Sequence, residues 1–181
     1  FEESYDKLLL SPGAKPVIPD LPGIDSSKLF TLRTVEDTYR IKAFVDQNKP
    51  KSAVIVGGGF IGLEMAENLR HLGMEVTIVQ RPKQLMNPFD SDMASFIHSE
   101  VRKHGVKLML GHTVEGFAEQ DGGVNVLLKD CAPLSADMVV LAIGVTPEST
   151  LAKEAGLALG IKGSILVNDR METSAADIYA V

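Results

Sequence analysis

The stretch Val54 to Gly62 reads VIVGGGFIG, and its glycines constrain the fold of this 181-residue chain more than any other feature. Glycine surrenders more conformational freedom on folding than any other residue, so three in succession need a structural cause. The preceding SAVIVG, Ser52 to Gly57, is a continuous apolar run of the kind buried on both faces of a parallel sheet. Next, FIGLEMAENLRHLG sets Ile61, Met65, Leu69 and Leu72 on one helical face, with Gly73 in the place of a C-terminal cap. MEVTIVQ, Met74 to Gln80, reads as a second buried strand. Strand, glycine turn, helix and strand from Ala53 to Arg81 match the length of one βαβ unit.

The rest of the chain extends this α/β pattern. YDKLLL, Tyr5 to Leu10, predicts a short strand, and the Pro/Gly-rich Ser11 to Gly23 excludes a helix or a central strand. Val35, Tyr39, Ile41, Phe44 and Val45 show helical periodicity after Thr34, an N-cap candidate with Asp37 three residues on; Pro50 closes the helix. Asp90 or Ser91 opens another helix, with Met93, Phe96, Ile97 and Val101 expected to face a sheet and Gly105 ending it before the strand VKLML. TVEGFAE and VNVLLK, joined by Asp121, Gly122 and Gly123, predict a hairpin. ADMVVLAIG, Ala136 to Gly144, reads as one buried strand, followed by a short helix over STLAKEA that Gly156 stops, and by one or two further strands.

A net charge of −6 without a basic cluster speaks against nucleic acid as a partner. No apolar run reaches a membrane-spanning length, and the start, FEESYDKLLL, lacks the basic-then-apolar order of a signal peptide, so a cytoplasmic location is expected. The one cysteine, Cys131, lies in polar KDCAPLS and reads as a loop or strand-end thiol. His71, His98, His104 and His112 show no ligand spacing, so no metal site is expected. The chain opens on Phe1 and stops inside the apolar IYAV, as a piece of a longer protein would.

Gly57, Gly59 and Gly62 stand in G-x-G-x-x-G spacing between strand and helix. In such a unit the first glycine makes the tight turn, the second admits a pyrophosphate to the backbone, and the third lets helix and strand pack closely. The helix start supplies free N–H groups and the positive end of its dipole. Gly58 has no role in that scheme. Beyond the second strand come Gln80 and Arg81. A neutral amide cannot repel a ribose 2′-phosphate and a guanidinium can pair with one, which favours NADPH over NADH.

With these motifs in view, VIVGGGFIGLEMAENL, LAIGVTPESTLAKEAGLALG and METSAADIYAV resemble the pyridine nucleotide-disulfide oxidoreductases, nearest their coenzyme A-disulfide reductase and NADH oxidase branch. The resemblance implies a Rossmann-type parallel sheet with an antiparallel β-meander, flanked by crossover segments of an incomplete FAD domain. Residues 1–31 and 145–181 would be parts of that FAD domain and residues 32–144 the NAD(P)H domain. It places Phe60 where the family has an aromatic that covers the flavin and swings aside for nicotinamide, with Ile61 beside it. Glu64 falls at the family's helix glutamate near the nicotinamide, and a carboxylate in that apolar segment calls for a partner. Ile143, Gly144 and Val145 match the loop along the nicotinamide, and Ser11, Gly13 and Ala14 the crossover that touches the flavin. Many members carry glutamate where Gln80 stands. The implied parent is a homodimeric FAD enzyme passing hydride from NADPH or NADH to flavin, then to a small-molecule disulfide such as coenzyme A disulfide. The redox cysteine would lie outside this chain. Oxygen or peroxide as acceptor, a ferredoxin or nitrite reductase-type flavoprotein, and a non-enzymatic dinucleotide-binding module are the alternatives.

Overall fold

In a computed structural model that describes residues 2–181, the chain opens with β1 (Leu8–Leu10), β2 (Ala14–Pro16), β3 (Leu29–Phe30) and α1 (Val35–Asn48). Then come β4 (Ser52–Val56), α2 (Phe60–His71), β5 (Glu75–Gln80), α3 (Ser91–Lys103) and β6 (Lys107–Leu110). The later part holds β7 (Val114–Gln120), β8 (Gly123–Leu128), β9 (Leu134–Ala136), β10 (Met138–Leu141), β11 (Val145–Pro147), α4 (Thr150–Glu154) and β12 (Ile178–Ala180). Two compact units result: Pro16–Gly144, and the flanking residues up to Lys15 together with Val145–Val181. Leu29 and Phe30 add a strand to the larger unit.

The larger unit is built on a parallel sheet of order β3-β10-β4-β5-β6. Both faces are covered, which explains the unbroken apolar runs. Ala53, Ile55, Val76, Ile78, Met138 and Val140 point into the helix-side core with Met65, Ala66 and Leu69 of α2. Val54, Val56, Val79, Val139 and Leu141 point the other way, against Phe117, Val124 and Val126 of the meander β7-β8-β9. β3 escapes sequence patterning because it is two residues long, yet it is anchored on both faces, Leu29 toward the meander and Phe30 toward the helices. Phe30 meets Phe44 of α1 at 5.0 Å between ring centres, tilted by 60°.

Several expectations need correction. Ala136 belongs to the meander and Met138 to the parallel sheet, so the run from Ala136 to Gly144 is two strands broken at Asp137. Burial opposes the Asp137 carboxyl's charge, but N–H groups of Lys51 and Ser52 at 2.7 and 2.9 Å hold it below the usual carboxylate range. The Ser52 hydroxyl adds a third bond at 3.1 Å. That carboxylate pins the strand break to the start of β4. In α3 the inward side chains are Ala94, Ile97 and Val101; Met93 and Phe96 face solvent, as do Val35 and Tyr39 of α1 and Leu72 after α2. Each helix buries a narrower apolar stripe than its spacing predicts. The hairpin turn is the pair Asp121–Gly122, both with positive φ as a type I′ turn demands, and Gly123 already belongs to β8.

Helix ends follow local chemistry. Thr34 and Asp37 form the expected capping box, each bonding the other's backbone N–H, and those bonds lower the Asp37 pKa. Arg70, in the last turn of α2, donates to the carbonyls of Met74 (2.5 Å) and His104 (3.2 Å), just beyond α2 and α3 respectively.

The smaller unit pairs β1 with β12 in parallel, Leu8 opposite Ile178. The first strand is shorter than the expected Tyr5–Leu10. Within it Glu148 donates its N–H to the Gly13 carbonyl (2.9 Å) and pairs with Lys15 at 3.3 Å.

Asp137→Ala should cost about 2–3 kcal/mol, because charge-assisted bonds to two N–H groups and a hydroxyl are lost. As the folded pKa is depressed, this contribution is present above about pH 3.9 and is lost as pH falls through the folded value. Denaturant unfolding of both proteins should show a gap at pH 7 that closes in acid; a constant gap would assign the loss to packing instead.

Candidate functional site

The chain leaves β4, proceeds outward to β5 and β6, and returns to β10 on the opposite side of β4. The carboxyl end of β4 is therefore the point where strand order reverses, the usual ligand crevice of an open α/β sheet. The glycine turn occupies that point, and each glycine has its own surroundings. Gly57 has φ +113°, and a Cβ on it would overlap the Ala142 carbonyl after β10. A Cβ on Gly62 would overlap the Gly57 carbonyl, so the first turn of α2 rests directly on the strand end. Gly59 is different: nothing lies within 4 Å of where its Cβ would be.

Gly58, without a role in the sequence scheme, acquires one here. Its Cα faces the fully buried Leu85, whose Cδ2 a side chain would overlap. Its N–H donates to Gln80 Oε1 at 3.0 Å, and its carbonyl accepts from Met86 N–H at 2.8 Å. The loop after β5 is thus fastened to the glycine turn. Leu85 N–H in turn donates to His98 Nε2 of α3 at 2.9 Å, and burial, aided by the Arg102 charge, keeps that imidazole's pKa low.

The two long helices of this unit's first half differ at their starts. α1 is capped by its own Thr34 and carries Glu36 and Asp37 in its first turn. α2 begins at Gly59 with no side-chain cap and no acidic residue in its first turn. Its N–H groups and positive dipole end remain for an anion from outside, and the open side of Gly59 leaves room for one. The residues present therefore fit a dinucleotide pyrophosphate.

Around this point Phe60 is 67% exposed, which excludes a core role. Ile61 is half-buried and packs on the helix-side core. Glu64 lies one turn beyond Phe60, exposed and, among the described residues, without an ion-pair partner, so its charge is met by water rather than by a buried cation. Arg81 is exposed and, among the described residues, makes no ion pair. A cavity of about 520 Å³ opens beside the turn, lined by Gly57, Arg81, His112, Thr113 and Ile143 among others. Gly144 has φ +125° with open space at its Cβ position. Ser11, Gly13, Ala14 and Val145 belong to the smaller unit; Ser11, Gly13 and Val145 are exposed and Ala14 is half-buried. Folding also brings His112 Nδ1 to 3.5 Å from Cys131 Sγ, a pairing that sequence separation hid. Among the described residues no cluster of three His, Cys, Asp or Glu could hold a metal, and no helix is long and apolar enough to cross a membrane.

A glycine turn on an uncapped helix at the switch point of a parallel sheet defines a Rossmann-type α/β protein. The chain belongs to the pyridine nucleotide-disulphide oxidoreductase family, whose model matches residues 1–181. It is 40% identical over 182 residues to an NADH oxidase of Methanocaldococcus jannaschii, covering all of this chain and 40% of that protein. It is 36% identical to a coenzyme A disulfide reductase of Staphylococcus haemolyticus, with the same coverage. The crystal structure of reduced Bacillus anthracis CoADR-RHD superposes with a TM-score of 0.93 at 50% identity, over all of this chain and 32% of that one. The chain thus spans well under half the length of these relatives.

The glycine surroundings predict opposite outcomes for similar substitutions. Gly62→Ala should destabilise the fold by about 1–3 kcal/mol, since two backbones must separate. Gly59→Ala should leave the melting temperature within about 2 °C of wild type. Thermal unfolding of the pair checks this, and equal losses would mean that Gly59 is not open.

Proposed function

We propose that this chain is the NAD(P)H-binding segment, residues 32–144, of an FAD-dependent disulfide oxidoreductase, flanked by parts of its FAD domain in residues 1–31 and 145–181. The observation that carries this reading is the start of α2: uncapped, free of acidic residues, and open at Gly59. When bound, the reduced nicotinamide supplies a hydride and the flavin carries its electron pair to the acceptor.

The chain's own residues bind, select and shield. N–H groups at the start of α2 hold the pyrophosphate, and Gly59 lets it approach. Arg81, exposed at the end of β5, pairs with a 2′-phosphate and favours NADPH over NADH. Ile143, Gly144 and Val145 line the nicotinamide, and Ser11, Gly13 and Ala14 contact the flavin. Phe60 covers the flavin and yields to nicotinamide, excluding water and oxygen between turnovers. Glu64, one helical turn on and already solvated, orients the nicotinamide carboxamide.

The family and the relatives named above favour a small-molecule disulfide, such as coenzyme A disulfide, as acceptor, with oxygen as the alternative that the NADH oxidase supports. The parent would act as a homodimer, as the sequence resemblance implies. Titrating NADPH and NADH separately into the full-length flavoprotein, while following flavin absorbance, tests the reading; failure of both nucleotides to reduce the flavin would overturn it.

Two substitutions separate the roles. Arg81→Glu should weaken NADPH binding roughly 10- to 100-fold, the equivalent of about 1.5–3 kcal/mol for a charge-assisted contact, and should spare NADH. Equal losses would refute selection by Arg81. Phe60→Ala in the full-length protein should raise the rate at which oxygen reoxidises the reduced flavin, and an unchanged oxidase rate would remove the shielding role.

A further inference from the structure

We propose that Gln80 is a positioning residue that locks the glycine turn to the loop after β5, and thereby supports binding of either nicotinamide dinucleotide without touching it. The proposal rests on the reading that the glycine turn binds a dinucleotide. Position 80 follows the last buried residue of β5, where a side chain could reach outward to a ribose. Here the carboxamide turns inward. Its Oε1 accepts from Gly58 N–H at 3.0 Å, and its Nε2 donates to the Gln84 carbonyl at 3.3 Å. Because the first partner can only donate and the second can only accept, the orientation of the amide is fixed.

The bond to Gly58 does not act alone. Gly58 also accepts from Met86 N–H, and its bare Cα seats on Leu85. Gln84 Nε2 donates to the Phe89 carbonyl at 2.8 Å, closing the far side of the loop. Gln80 is the piece that ties this loop to the N–H side of the turn, immediately before Gly59 and the first turn of α2. Release of that N–H lets the turn move relative to Arg81, which is carried by the same loop. Discrimination between the nucleotides is then left to Arg81, while the presentation of both depends on Gln80. No other side chain of this length offers both an acceptor and a donor: glutamate keeps the bond to Gly58 and loses the one to Gln84, and methionine loses both.

The test uses the full-length flavoprotein with Gln80→Met and Gln80→Glu. For the methionine variant, Kd and KM for NADH and NADPH should both rise roughly 5- to 15-fold, by factors that agree within about two, with kcat at saturation unchanged. In nucleotide-free protein, amide exchange should quicken at Gly58 and Met86 while Ile55 and Ile78 stay protected, which a general loss of stability would not produce. The glutamate variant should keep Gly58 protected and bind NADH more nearly as wild type does. Should the methionine variant fail to fold, the glutamate variant decides, since loss of Gly58 protection in it overturns the proposal. An altered NADH to NADPH ratio with unchanged Gly58 exchange would mean that Gln80 meets the ribose directly, and also overturns it. If wild-type protein binds neither nucleotide, the dinucleotide reading falls, and with it the binding half of this proposal; the exchange comparison separately decides whether Gln80 holds the turn.

Discussion

Three backbone segments converge at the carboxyl end of β4 with no side chain between them. Gly57 lies against the Ala142 carbonyl, and Gly62 lies on the Gly57 carbonyl. This approach fixes how far β10, β4 and α2 stand apart at the crevice, and a single methyl at either glycine would force two backbones to separate. Everything proposed for the site is built outward from it. The open side of Gly59 and the uncapped start of α2 lie directly beside this contact.

Electrostatics and packing divide the work. The two-sided core sets strand positions through Ile55, Ile78 and Val140 on the helix side and Val54, Val79 and Val139 on the meander side. Such apolar contacts are non-directional and would hold a sheet whatever lay at its edge. Direction comes from a few polar clamps: Asp137 on Ser52, Gln80 on Gly58, Thr34 on Asp37. Each joins segments at a strand or helix terminus, where backbone groups would otherwise lack partners. α2 alone of the three long helices combines an unoccupied cap with an apolar first turn, and that contrast singles out its N-terminus more sharply than the glycine spacing does.

Strands buried on both faces are legible in the sequence, and what is not legible has physical reasons. Long apolar runs report strands buried on both faces, so β4, β5 and β10 could be found from sequence, as could the capped α1. β3 could not, since two residues carry no period and its place is set by partners more than a hundred positions away. The outward turn of Phe96 and Met93 is not legible, because an apolar residue at helical spacing is indistinguishable from a buried one without its neighbouring sheet. The glycine pattern located the crevice, but the purpose of Gly58 depended on Leu85 and Gln80, contacts that no local motif encodes. The Cys131–His112 approach likewise arises only when the segment after β6 and the loop after β8 are brought together.

Arg70 fastens the end of α2 that lies away from the glycine turn. By holding the carbonyls of Met74 and His104, one guanidinium staples together the chain segments that leave α2 and α3, at the edge of the sheet remote from the crevice. At its other end the helix rests through Gly62 on the Gly57 carbonyl, so α2 is held at both ends. Phe60, about 15 Å from the staple at 1.5 Å per residue, therefore moves by turning about its own side-chain bonds and not by tilting of the helix that carries it.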